Sequence, residues 1–168
     1  IAEMSADRAA DVLGALDHAE REGILARIDP EARASLRGLL VYPHDTAGGM
    51  MTTEFVSMPD TATVAETLAH IRTTARSRET VYAIYVLAPD QRLVGTVSLR
   101  RLITAEPDDR IADLALARNL VTVAPDTDRE AVATAIRRHD LLAVPVVDEN
   151  EHVLGIVTVD DVIDAIIA

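Results

Sequence analysis

The sequence predicts a mixed fold of the α/β (α+β) class: a short helical superhelix segment, then two copies of one strand, helix, strand, turn, strand, helix unit. Three observations predict it. Residues 1–40 space their apolar side chains helically and show no strand-like alternation. The stretches 82-YAIYVLAPDQRLVGTVSLRRLI-103 and 142-LAVPVVDENEHVLGIVTVDDVI-163 align without a gap. Upstream, Pro59-Asp60-Thr61 recurs as Pro125-Asp126-Thr127, each ahead of a helical stretch. One such unit leaves much of its sheet uncovered, so the two copies are expected to pack face to face as a pseudo-two-fold pair.

In chain order, Ser5, Asp17 and Asp29-Pro30 are helix starters, and they predict helices near 6–15, 18–28 and 30–40. Val12, Leu13 and Leu16, then Ile24, Leu25 and Ile28, then Leu36, Leu39 and Leu40 each form one apolar face, so the helices should stack. Tyr42-Pro43 ends this region. Gly48-Gly49 reads as a loop that needs unusual backbone angles. In the repeat, Val86 falls on Val146, Gly95 on Gly155, Val97 on Val157, Ser98 on Thr158 and Ile103 on Ile163. The first helices of the copies are expected near 64–76 and 128–138, and copy one carries a few extra residues around Ala75 to Glu79, where a loop tolerates them.

Composition narrows the function. A formal charge of −12 argues against binding nucleic acid or an anionic membrane by general attraction. Cations are the natural partners, unless the acids serve only solubility. Without cysteine there are no disulfides, thiolate chemistry or cysteine-based zinc sites. The longest apolar runs, LLAVPVV and VLGIVTV, fall far short of the roughly 18 residues of a membrane span. No glycine-rich phosphate loop, histidine pair at ligand spacing or nucleophile with an evident base occurs, so an enzyme is not expected. The chain begins at Ile1 and stops inside an apolar helical pattern, and the expectation is a piece of a longer protein.

The repeat carries a resemblance. Segments 82–103 and 142–163 resemble the second halves of two cystathionine-β-synthase (CBS) domains, marked by Gly-x-x-Ser/Thr-x-x-Asp and complete in copy two as Gly155, Thr158 and Asp161. The stretch 42-YPHDTAGGMMTTEFVSM-58 is similar to the junction of the MgtE family of magnesium channels, where a helical domain passes into a CBS pair. This resemblance implies an N-domain part over 1–41, a junction over 42–54, a first CBS domain over 55–118 and a second over 119–168. It also implies a homodimer through the CBS pair, a cytoplasmic position, Mg²⁺ as ligand and a transmembrane pore beyond residue 168. Asp45, Asp140, Asp161 and Asp164 fall on acidic positions that the family uses for Mg²⁺, with a further ligand from Asp7, Asp11, Asp17, Glu20 or Glu22. His44 stands where the family often has an acid. CBS pairs frequently bind adenine nucleotides, with the motif's Asp on the ribose; copy one has Arg101 there, which cannot accept those bonds but can meet a phosphate.

The residues themselves leave alternatives. Mg²⁺ wants six oxygens and keeps several waters, so one or two carboxylates per ion suffice. With a helix starting near Val159, Asp161 and Asp164 are three apart and Asp160 and Asp164 four apart, on neighbouring positions of one surface. Two carboxylates about 6 Å apart repel by roughly 0.7 kcal/mol in water and by about 3 kcal/mol at an effective dielectric near 20. A divalent cation between them reverses the sign. Equally, Thr158 and Asp161 read as a capping pair, Asp45 as a turn residue, Asp140 as a solvated loop acid and His139 as an exposed helix end.

Overall fold

The computed structural model describes residue 4 and residues 6–74, 81–115 and 120–167, except the side chains of residues 7 and 164–167. The extra residues expected around 75–79 lie outside the described residues. The chain runs α1 (Ala6–Gly14), α2 (His18–Leu25), α3 (Pro30–Leu39), α4 (Ala47–Met50), β1 (Val56–Pro59), α5 (Val64–Thr74), β2 (Ala83–Leu87) and β3 (Leu93–Ser98). It continues with α6 (Leu99–Thr104), α7 (Ile111–Leu114), α8 (Arg129–His139), β4 (Ala143–Val147), β5 (Val153–Thr158) and α9 (Val159–Ile167). Contacts divide it into one unit drawn from 1–54, 123–146 and 154–168, and another drawn from 55–122 and 147–153.

In the first unit, Asp17 and Asp29-Pro30 start helices as expected, while Ser5 lies outside the described residues. The Asp17 carboxylate accepts from the Glu20 N–H at 2.9 Å and Asp29 accepts from Ala32 at 3.0 Å, with Pro30 opening α3. The helix ends use a device the periodicity does not display. Arg21 of α2 donates to the Leu13, Gly14 and Leu16 carbonyls at 2.9, 3.3 and 3.0 Å, satisfying the end of α1. Arg33 of α3 does the same for α2, donating to Ala26 and Ile28 at 3.2 and 2.8 Å. Both the Asp caps and these arginines recur twelve residues apart. Leu13, Leu25, Leu36 and Leu39 are buried beneath them, and α1 packs on α3.

The same unit holds all but one residue each of β4 and β5, which pair with each other, and the buried residues Val132, Ile136, Val144, Val146, Ile156 and Val157. Thr52 adds to the outer side of β5, exchanging N–H and carbonyl bonds with Ile156 at 2.9 Å each way. Gly155 is glycine for room: a Cβ there would sit 2.7 Å from the Thr52 carbonyl. The strand expected at the head of copy two shrinks to one parallel bridge, Val123 with Val146. The donors that would extend this ladder either way fall on Pro125 and Pro145, which have no N–H.

In the second unit the sheet order is β1-β2-β3, with β1 parallel and β3 antiparallel to β2. Val56, Ile84, Val86 and Val97 meet Val64, Leu102 and Ile111 in one apolar core. Helix α5 starts with a reciprocal cap, in which the Thr63 N–H donates to Glu66 at 2.8 Å and the Glu66 N–H returns to the Thr63 hydroxyl at 3.2 Å. Tyr85 is 1% exposed and meets Phe55 edge-on at 5.7 Å, and burial pushes its phenol pKa up.

Candidate metal-binding site

Thr158 and Asp161 form a capping box at the start of α9. The Thr158 N–H donates to Asp161 Oδ2 at 3.0 Å, the Thr158 hydroxyl donates to the same oxygen, and the Asp161 N–H returns to that hydroxyl at 3.4 Å. Thr158 is 8% exposed, so the box closes the last buried turn of β5 onto the helix. Asp160 and Asp161 occupy the first turn, where the helix dipole favours negative charge. Copy one differs as the sequence implies: Ser98 accepts from the Arg101 N–H at 3.3 Å, and Arg101 stands where copy two has its carboxylate. The side chain of Asp164, one turn along α9, lies outside the described residues.

Asp140 closes α8 in a left-handed conformation (φ 53°, ψ 46°), its N–H donating to the Ile136 carbonyl. The helix ends on Arg137, Arg138 and His139, all exposed, which suit its negative end. The exposed carboxylate of Asp140 therefore sits beside helix carbonyls that favour a cation. Two residues on, the Leu142 carbonyl accepts from the Val159 N–H at 2.9 Å, so the end of α8 and the start of α9 adjoin. Between these helices runs a cavity of about 850 Å³, lined by Asp140, Leu142, Val159, Val162 and Ile163 among others.

Asp45 is placed by backbone. The Arg129 N–H, at the first residue of α8, donates to the Asp45 carbonyl at 2.9 Å, and the Ala47 and Gly48 N–H groups donate to Thr127 and Pro125 at 2.7 and 2.8 Å. The Thr46 hydroxyl bridges Pro43 and the Gly49 N–H. Gly48 and Gly49 are not the strained loop expected: both lie in α4 and no glycine has positive φ among the described residues. They are small because a Cβ on Gly48 would overlap the Tyr42 ring and one on Gly49 the Pro43 carbonyl.

Helix α8 thus has Asp45 at its head and Asp140 at its tail. Eleven residues rise about 16 Å, so these two carboxylates cannot share one ion within the unit. Asp140 and Asp161 belong to one end, Asp45 to the other. Near Asp45, the His44 ring lies 3.3 Å from Asp11. Of the remaining N-terminal acids, Asp17 caps α2 and Glu22 pairs with Arg37 at 2.8 Å, while Glu20 is exposed. The side chain of Asp7 lies outside the described residues. No group of three or more His, Asp or Glu side chains close enough to hold a metal occurs among the described residues. The donors offered at either end are hard oxygens, which suit Mg²⁺ more than a soft metal.

Two family models cover the chain: the MgtE intracellular N domain matches residues 1–45, and the CBS domain matches residues 47–108 and 111–168. The magnesium transporter MgtE of Thermus thermophilus is 42% identical over 165 residues, covering 96% of this chain and 36% of that protein. The crystal structure of the soluble part of a magnesium transporter superposes with a TM-score of 0.93 at 43% identity, over 98% of this chain and 64% of that one. The cytosolic domain of the Mg²⁺ channel MgtE in complex with ATP does so with 0.93 at 42% identity, over 96% and 66%. The chain spans about a third of the length of the curated relatives it matches.

Proposed function

This chain belongs to the CBS-domain family, with an MgtE-type N domain ahead of a CBS pair, and from that premise we propose that it is the Mg²⁺-sensing cytoplasmic part of a magnesium transporter. Among the described residues no helix is long and apolar enough to cross a membrane, so on this reading the pore is a separate segment of a longer chain. Mg²⁺ is bound by Asp45, Asp140, Asp161 and Asp164 and favours a compact, closed arrangement. The observation that carries the reading is the junction: Asp45, Ala47 and Gly48, which follow the N domain in the chain, are joined to Arg129, Thr127 and Pro125 at the head of α8 by backbone hydrogen bonds of 2.7–2.9 Å. Binding a cation at either end of α8 therefore acts on a segment continuous with the N domain. A homodimer through the CBS pair is part of the proposal, supported by exposed Leu142 and Ile163 along the groove between α8 and α9. Small-angle scattering during a Mg²⁺ titration tests the switch. Contraction at millimolar Mg²⁺ that is lost in Asp161→Ala and Asp164→Ala supports it, and an unchanged radius in the parent rejects it.

A second reading, adenine-nucleotide binding by the CBS pair with or without a pore, is favoured by the relative solved in complex with ATP. Arg101 in place of the motif's carboxylate weighs against ribose binding in copy one. Calorimetry with ATP, AMP and S-adenosylmethionine separates the readings.

A further inference from the structure

The turns between β2 and β3 and between β4 and β5 touch each other in the second unit. Arg92 and His152 hold equivalent places in the gapless repeat and pair across an antiparallel bridge. The Leu93 N–H donates to the Glu151 carbonyl at 3.0 Å. Gln91 and Glu151, also equivalent, both take positive φ, 67° and 64°, so the two turns share one conformation.

The His152 ring lies between them. Its Nδ1 is 3.2 Å from Asp148 Oδ2 and its Nε2 is 3.1 Å from the Asp90 carbonyl. Both partners are acceptors. A neutral imidazole has one N–H and an imidazolium has two, so only the protonated ring donates to both turns at once. We propose that His152 is a proton-operated latch that ties the hairpin turn of copy two to that of copy one. The charged groups around the ring are Asp148, Asp90, Glu151 and Arg92. The Asp148 carboxyl is held below the usual carboxylate range, chiefly by the His152 backbone N–H, and Asp90 likewise by Arg92. Arg92, paired with His152 across the bridge, carries like charge, and that charge is held by Asp90 at 2.7 Å and Glu151 at 3.6 Å. The sign follows from the donor count: both carboxylates are held in the ionised form by their partners, and loss of the second ring proton on the basic side removes one of the two ring bonds. The latch is tight when the ring carries both protons and looser when it carries one. It stands whether or not the chain senses Mg²⁺.

Amide exchange by NMR on the folded chain reads it directly. The protection factor of the Leu93 N–H, corrected for intrinsic rate, is expected to rise about 2- to 5-fold between about pH 8 and about pH 5. His152→Gln abolishes that rise, and Asp148→Asn moves it to lower pH. Ring ¹⁵N shifts should show both nitrogens protonated over the same interval. Flat protection in the parent, a parent-like rise in His152→Gln, or a ring that stays neutral while protection changes would each overturn the latch.

Discussion

Asp140 adopts a left-handed backbone at the end of α8 and also carries an exposed carboxylate. A glycine separates the two roles. Asp140→Gly is expected to raise stability by a few tenths to about 1 kcal/mol in chemical denaturation, because glycine enters that region without a Cβ clash. The same substitution should weaken Mg²⁺ binding by calorimetry if the carboxylate is a ligand. Tyr85 poses a different question. Its hydroxyl is buried and has no hydrogen-bond partner among the described residues, and an unsatisfied buried donor costs roughly 1–3 kcal/mol. Tyr85→Phe is therefore expected to stabilise the protein by about 1 kcal/mol, visible as a higher midpoint with unchanged slope. Neither effect was legible in the sequence. Asp140 reads as a loop acid, and nothing in the stretch around Tyr85 marks its hydroxyl as one without a partner.

Secondary structure followed the local signals closely where those signals were chemical. Asp17 and Asp29 start α2 and α3 as caps, and the Thr158–Asp161 pair forms the box its spacing suggested. The missing first strand of copy two was legible in principle, since Pro125 and Pro145 sit where ladder donors are needed, but only once the pairing register is known. Two consecutive glycines suggest a loop when considered alone, yet Gly48 and Gly49 lie in the junction helix α4. In the fold they are spacers beneath Tyr42 and Pro43. Gly49→Ala is expected to cost about 2 kcal/mol or more, since backbone rather than a flexible side chain must yield. Thermal unfolding measures it, and a change below about 0.5 kcal/mol would mean that the junction relaxes freely.

Across the whole molecule, the carboxylates that the sequence groups together divide into two sets. Asp45 lies at one end of α8, while Asp140 and Asp161 lie at the other, about 16 Å away along the helix. Sites that far apart without shared partners behave additively. If both are Mg²⁺ ligands as proposed, the binding loss of Asp45→Asn with Asp140→Asn should therefore equal the sum of the single losses, within about 0.5 kcal/mol by calorimetry. A large shortfall would mean that binding at the two ends of α8 is coupled.

From the sequence alone came the helical start, the repeated unit, the caps and the acidic motif positions, because each depends on residues within a few places of one another, where spacing dictates geometry. Tertiary structure decided the rest. It set which end of α8 each carboxylate occupies, why Gly48 and Gly49 must be small, and that His152 meets the turn of the other copy. These depend on segments distant in the chain being brought together, and no local pattern records which backbone atom will come to lie against which side chain.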